Sequence, residues 1–318
     1  MNRNDQREVC REHINEVIET QLTTPGFWDQ FWHPKHQPAE TLALLDRLKK
    51  AVKGVLGEKK IQRFSRPYSD YVLWEHIYPK YLPAMAGARV LEIGSAPGHY
   101  LVRLAQTFGC IPYGVEYSPA GFKMNQQIFA QNDLDPNNII FANAFGDEFQ
   151  SAYRASFDVV VSRGVVEHFS DIEPILAKHC ALLKPGGSLV VSVPNFRGLA
   201  YFLALIFDKA SLQAHNLEIM RISKFATAFA TPHLQSVFCG YYGVCDVAAP
   251  VSGPNAKQGG AYSLTFQLID KTQVLLNGLL RLTIGGRSVE TAFLSPFLLY
   301  IGKNQFPRPP ISSQVAGH

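Results

Sequence analysis

The sequence is short of most features that would mark a specialised chain. Its 318 residues include five cysteines, Cys10, Cys110, Cys180, Cys239 and Cys245. They are odd in number and contain no C-x-x-C pair, which argues against a disulfide framework and a cysteine metal cluster. Charge of either sign is scarce: 30 lysines and arginines against 26 acidic residues leave +4, too little for a nucleic-acid groove. The densest basic stretch, "RLKKAVKG" from Arg47 to Gly54, repeats at helical spacing and reads as a solvated helix face. No apolar run reaches the roughly 18 to 20 residues that a bilayer span needs. "FRGLAYFLALIFDKA" and "VLLNGLLRLTIGG" come nearest, and read as core, pocket or surface-contact helices. The opening "MNRNDQREVCREHINEVIE" is charged and helical, without the apolar core of a secretory signal, so a reducing cytoplasm is the expected setting.

What is present is globular: 47% of residues are apolar and 18% charged, enough to bury a sizeable core. Residues 1–85 read as a helical cap, with a charged amphipathic helix, an aromatic turn "TTPGFWDQFWHPKHQP", the helix "AETLALLDRLKKAVKGVLG" and a further helix in "SRPYSDYVLWEHIYPKYLPAM". Residues 86–195 alternate short apolar runs with helical windows. "ARVLEIG", "CIPYGVEYS", "NNIIFANA", "FDVVVSRG" and "GSLVVSVPN" are β-branched and nearly continuous, as parallel strands buried on both faces are. Helices are expected at His99 to Phe108, Pro119 to Gln131, Phe145 to Arg154 and Ile172 to Leu183. Residues 196–305 add two helices, a strand at "LQSVFCGYYG", an apolar helix from about Tyr262 to Leu282 and a final strand "PFLLYIGK"; 306–318 read as a flexible tail. The fold class is therefore α/β: a doubly wound, Rossmann-like, seven-stranded and mostly parallel sheet, with an N-terminal helical cap and helical insertions after strands five and six.

In such a sheet ligands bind beyond the carboxyl ends of the strands. The first strand-to-helix turn is "EIGSAPG", Glu92 to Gly98. A dinucleotide fingerprint G-x-G-x-x-G would need glycine at 94, 96 and 99, and Ala96 and His99 stand at two of those places. The observed E-x-G-x-A-x-G instead resembles the first motif of class I S-adenosylmethionine-dependent methyltransferases, with alanine for the usual middle glycine. "YGVEYS" puts Glu116 at the end of the second strand, where the family has an acidic residue for ribose hydroxyls. "IIFANAFG" resembles the family's G-D-A segment, with Ala142 and Asn143 in place of Gly and Asp. "FDVVVSRGVVEHFSDIEPILAKHCALLKPGGSLVVSVPN" is similar to the small-molecule branch, which includes ubiquinone-pathway and natural-product or sugar methyltransferases.

The resemblance implies S-adenosylmethionine as cofactor and S-adenosylhomocysteine as product. It places Glu92, Gly94, Ser95, Ala96 and Gly98 under the methionyl and ribose parts, Glu116 and Tyr117 at the ribose, and Asn143, Ala144 and Phe145 at the adenine. Ser162 and Arg163 at the end of the fourth strand, and Tyr71 with Tyr68 on the preceding helix, complete the expected cofactor wall, with a packing role as the alternative for the two tyrosines. His168 in "VVEHF" is the expected general base for an acceptor hydroxyl, with a bracing role for the loop as the alternative. His215 in "QAHNLEIM" is the second candidate base, or else a helix-cap histidine. The fourth strand ends in "SRG" rather than [DNS]-P-P-[YFW], and the acidic residues that hold Mg²⁺ in catechol-type enzymes are missing, so no metal is expected.

The aromatic "FWDQFW", "LAYFLALIF" and the 262–282 helix are expected to line a pocket for a small, partly hydrophobic acceptor; a homodimer face and a lipid contact remain alternatives. O-methylation in natural-product biosynthesis is the expected activity. N- or C-methylation, a catalytically silent scaffold and an NAD-linked oxidoreductase stay open as alternatives. No nucleic-acid partner and no stable membrane insertion are expected.

Overall fold

The computed structural model describes residues 20–32, 66–82, 84–244, 246, 272–273, 276–285 and 289–305. The charged first helix, the 39–57 helix with its basic face, most of the 262–282 helix and the 306–318 tail lie outside these residues.

Seven strands form one sheet in the order β3-β2-β1-β4-β5-β7-β6. They are β1 (Arg89–Ile93), β2 (Ile111–Glu116), β3 (Ile139–Phe141), β4 (Phe157–Arg163), β5 (Leu183–Pro194), β6 (Leu234–Tyr242) and β7 (Phe297–Asn304). The first five pair in parallel, and β7 enters antiparallel between β5 and β6. The chain runs outward through β1, β2 and β3 and then returns to β4 beside β1, so the sheet reverses direction at the β1–β4 boundary.

Alternation explains the continuous apolar runs, because successive side chains leave opposite faces and both faces are covered. Val90, Val159, Val161 and Val190 pack beneath α4 (His99–Phe108), α5 (Pro119–Gln131) and the helical stretch formed by α2 (Tyr68–Val72), a π-helical turn (Leu73–Ile77) and α3 (Tyr78–Tyr81). Leu91, Val160, Leu189 and Val191 pack on the other side, where α7 (Glu173–Ala181) and Phe225 and Phe229 of the insertion close the core. Helix α1 (Pro25–Trp32) precedes these elements, and α6 (Asp147–Ala152) connects β3 to β4.

Local chemistry sets the boundaries. Gly98 and Gly109 take left-handed conformations at the two ends of α4, where other L-residues are strained. Ser118 Oγ accepts the Gly121 N–H at 3.1 Å, with Pro119 opening α5, as an N-cap followed by an N1 proline should.

Three expectations are corrected. The aromatic turn at 23–38 contains a helix, α1. The insertion after β5 holds three helices rather than two: α8 (Leu199–Phe207), α9 (Lys209–Gln213) and α10 (Ile222–Ala228). Asp208 makes the break by capping α9 through its side chain. The fifth strand begins earlier than "GSLVVSVPN" and takes in "KPGG", because pairing resumes at Phe157–Leu183 across a bulge, Gly186 turns at φ +79°, and Lys184 Nζ reaches both Asp158 carboxylate oxygens at 2.9 Å.

Candidate active site

A cavity of about 740 Å³ opens at the carboxyl ends of β1, β2, β4 and β5. Its floor is the β1–α4 turn. Gly94 sits at φ +68°, and a Cβ there would stand 2.9 Å from Val165 Cγ2. Gly98 sits at φ +102°, where a Cβ would run into the Asn125 side chain. The small residues therefore answer first to protein packing, and only the low backbone they leave is available to a ligand. Ala96 is tolerated because Gly121 faces it: a Cβ on Gly121 would come within 2.9 Å of the Ala96 methyl.

Glu116 closes the β2 end. Its Oε1 accepts the N–H groups of Tyr117 at 3.0 Å and Ser118 at 2.9 Å, and its Oε2 accepts the Ala96 N–H at 3.3 Å. Backbone donors thus fix a carboxylate at the cavity wall. Asn143 is partly committed elsewhere, since its Oδ1 accepts the Phe145 N–H at 3.0 Å and shapes the β3–α6 turn. Phe145 is buried, with an edge-to-face contact to Phe169.

Of the residues expected at the cofactor, Glu92, Gly94, Ser95, Ala96, Gly98, Glu116, Tyr117, Asn143, Ala144, Phe145 and Arg163 line the cavity. Tyr68, Tyr71 and Ser162 do not. Tyr71 turns toward Tyr68, His76 and Arg281, and the same helical stretch shows the cavity Ser69, Asp70, Leu73 and Trp74 instead. Ser162 is fully buried, on the opposite side of β4 from Arg163.

The other end of the cavity is a cluster of Glu167, His168 and His215. The His168 and His215 rings lie 4.5 Å apart, and Trp28 meets His168 edge-on at 4.9 Å. His168 Nδ1 lies 2.8 Å from the Ala214 carbonyl. A carbonyl only accepts, so this nitrogen carries the hydrogen and Nε2 keeps its lone pair. His215 Nδ1 meets the Ser211 carbonyl in the same way. Burial, with His215 beside it, pushes the His168 pKa down to about 3, and burial lowers that of His215. Burial pushes Glu167 up to about 8, and neither carboxylate oxygen has a hydrogen-bond partner. One ligand atom from each of the three lies within 4.8 Å of the others, a set that could hold a divalent cation.

Glu167 was absent from the residues expected at the site, although its place between two valines and "HF" signals a buried carboxyl. Backbone contacts bind the cluster together: Asn216 N–H donates to Glu167 O at 2.6 Å, and its Nδ2 donates to Phe169 O at 3.0 Å. The N-terminal segment is laid over this loop. Leu22 N–H donates to His168 O at 2.7 Å, Ser170 N–H to Thr20 O at 2.8 Å, and Gln21 Nε2 to the Tyr117 hydroxyl at 3.2 Å.

The aromatic roof is Phe27, Trp28, Phe31 and Trp32, as "FWDQFW" implied. Helix α8 is not part of the lining and exposes Phe202, Leu205 and Ile206; the described turns of the 262–282 helix likewise expose Leu279 and Leu282. Among the described residues no helix is long and apolar enough to cross a membrane.

A cavity at the switch point of a sheet of order 3-2-1-4-5-7-6 marks a doubly wound α/β domain with its site beyond the carboxyl ends of the strands. A family model described as a methyltransferase domain matches residues 62–229, and the chain belongs to that family of class I S-adenosylmethionine-dependent methyltransferases. The human mitochondrial ubiquinone biosynthesis O-methyltransferase is 29% identical over 128 residues, covering 39% of this chain and 34% of that protein. The corresponding enzyme of Brucella ovis is 32% identical over 160 residues, covering 48% and 62%. The tRNA U34 carboxymethyltransferase of Pseudoalteromonas translucida is 28% identical over 191 residues, covering 60% and 56%. The chain thus spans between 34% and 62% of the length of these curated relatives. Among solved structures, geranyl diphosphate C-methyltransferase from Streptomyces coelicolor superposes with a TM-score of 0.47 at 14% identity, covering 94% of this chain and 97% of that one. Phosphoethanolamine N-methyltransferase 2 of Haemonchus contortus, solved with S-adenosyl-L-methionine, gives 0.47 at 16% identity, covering 74% and 52%.

Proposed function

We propose that this chain transfers the methyl group of S-adenosylmethionine to an oxygen of a small, partly hydrophobic acceptor of the natural-product type. One observation carries the reading: a single cavity joins the Glu116-held turn to the Glu167–His168–His215 cluster beneath an aromatic roof. The residues fit the cofactor, because a low backbone at Gly94 to Gly98 lies beside a carboxylate fixed by three N–H donors. When bound, S-adenosylmethionine supplies an electrophilic methyl group on a sulfonium leaving group.

The chain's part is to orient the acceptor, exclude water and receive a proton. Trp28, Phe31 and Phe196 hold the apolar body of the acceptor. Its hydroxyl meets His168 Nε2, the lone-pair nitrogen, with His215 beside it as the second catalytic imidazole and the Glu167 carboxyl as the stronger proton sink. No metal takes part in this scheme. The cap at 1–85, the cofactor core at 86–195 and the lid at 196–305 are its working divisions. A cytoplasmic setting belongs to the same reading and is supported by the free thiols of Cys110, Cys180 and Cys239.

Calorimetry with S-adenosylhomocysteine tests the cofactor, and methyl transfer from labelled S-adenosylmethionine to a panel of phenols and aliphatic alcohols tests the chemistry. Absence of nucleoside binding sinks the reading and favours a silent scaffold. A second reading, N-methylation, is supported by the unpartnered Glu167 carboxyl within aromatic walls, which suits a cationic amine. Transfer to amines and not to alcohols in the same panel selects it.

A further inference from the structure

Two arginines face the cavity, and they differ in one respect. Arg103 lies over the Trp74 ring, 4.0 Å from its centroid, and its Nη1 meets Asp70 Oδ1 at 2.5 Å. Arg163, at the end of β4, lies over the Tyr100 ring, also at 4.0 Å, and makes no ion pair among the described residues. Tyr100 is itself fixed, its hydroxyl bonded to that of the fully buried Tyr78. A guanidinium laid flat on a fixed ring presents its N–H edge sideways in a set plane.

No described carboxylate stands at ion-pair distance from this guanidinium. Glu92, Tyr78, Tyr100 and Tyr242 act on Arg163 electrostatically, and its side chain is exposed and lines the cavity. Glu92 is the carboxyl that acts on it most strongly. Burial raises its pKa while Arg163 lowers it, and its Oε2 has no hydrogen-bond partner. Asp70 is already taken by Arg103. A guanidinium that faces the cavity with no ion pair among the described residues has its fork open to an anion.

We propose that Arg163, held flat on Tyr100, is the carboxylate subsite of this cavity. A carboxylate matches the guanidinium fork with two parallel bonds. A dianionic phosphate suits the place less well, because Asp70 and Asp246 line the same cavity. The inference deepens the methyl-transfer reading and rests on it for the source of the carboxylate. That source is either the methionyl end of the cofactor or an acid group on the acceptor.

The test compares wild type with Arg163→Gln and Arg163→Lys by calorimetry. The probes are S-adenosylhomocysteine, 5′-methylthioadenosine, which lacks the amino-acid end, and benzoate. If the carboxylate is the cofactor's, Arg163→Gln weakens S-adenosylhomocysteine by roughly ten- to a hundredfold and leaves methylthioadenosine unchanged, with Arg163→Lys in between. Unaltered methylthioadenosine binding also shows that the variant folds. If it is the acceptor's, both nucleosides bind the variant as they bind wild type, and benzoate binds wild type loaded with S-adenosylhomocysteine but not Arg163→Gln. Equal weakening of both nucleosides, or no change with any probe, overturns the subsite. A wild-type chain that binds neither nucleoside overturns the cofactor reading instead, and benzoate titrated into the free protein then still decides the subsite.

Discussion

His168 and His215 stand with ring centroids 4.5 Å apart, each tied through Nδ1 to a backbone carbonyl, Ala214 O for the first and Ser211 O for the second. The shared tautomer leaves two neutral lone pairs at one end of the cavity. Replacing His168 with Gln keeps a polar side chain but removes the imidazole acceptor. Turnover is expected to fall by about 10²- to 10⁴-fold, with S-adenosylhomocysteine affinity unchanged in calorimetry. His215→Gln should cost less, because the second ring acts beside the first. Unchanged turnover in His168→Gln would leave the pair a structural brace.

The pH profile separates the imidazoles from Glu167. His168 is held near 3 and is neutral throughout the working range, so it contributes no limb near neutrality. Glu167 is pushed up to about 8. If its ionised form takes the proton, kcat rises as pH climbs through about 8, and Glu167→Gln is slower and flat across that window. Stability runs the opposite way. A carboxyl whose folded pKa is raised favours the fold below its unfolded value of 4.5 and loses that contribution as pH rises toward 8. Glu167→Gln should therefore resist denaturant at pH 9 better than wild type relative to their difference at pH 5. An alkaline limb that persists in the variant would assign the titration elsewhere.

Much of this was legible in the residues because the signals were local. Gly109, Ser118 and Pro119 mark helix ends by their own backbone preferences, and "VLEI" and "DVVV" show by continuous apolar content that both faces of the sheet are covered. The place of Glu116 at the cavity wall was legible because it depends on strand position alone. Tyr71 was misplaced because one step along a helix rotates a side chain by about 100°, enough to give the cavity to its neighbour Asp70. The strap over His168 was invisible because Leu22 N–H and Thr20 O are backbone groups that any residue supplies. Glu167 was passed over beside its histidine, since burial without a partner is a tertiary fact.

Gly98 tests the claim that packing, not ligand, demands a glycine in the first turn. Its φ of +102° is foreign to residues with a Cβ, and the atom would meet Asn125, which is fully buried. Gly98→Ala should cost on the order of 1–3 kcal/mol from the backbone alone, with more from the collision. In chemical denaturation, Gly98→Ala/Asn125→Ala should be less destabilised than the sum of the two single variants, since the double change removes the collision. Additive losses would show that the clash relaxes freely and that only the backbone angle matters.

The geometry of Glu167, His168 and His215 makes base catalysis and metal binding mutually exclusive. A cation in the cluster would be held by the imidazole lone pairs, and the His168 Nε2 lone pair is the one that a proton acceptor needs. With His168 as base, protein dialysed against a chelator should keep its full turnover. Added Zn²⁺ should then inhibit by occupying the lone pair, and the inhibition should vanish in His215→Gln, which removes one ligand of the set. Loss of turnover on chelation, restored by Zn²⁺ or Mn²⁺, would reverse the assignment: His168 would be a ligand, and the acceptor hydroxyl would lose its proton through the metal.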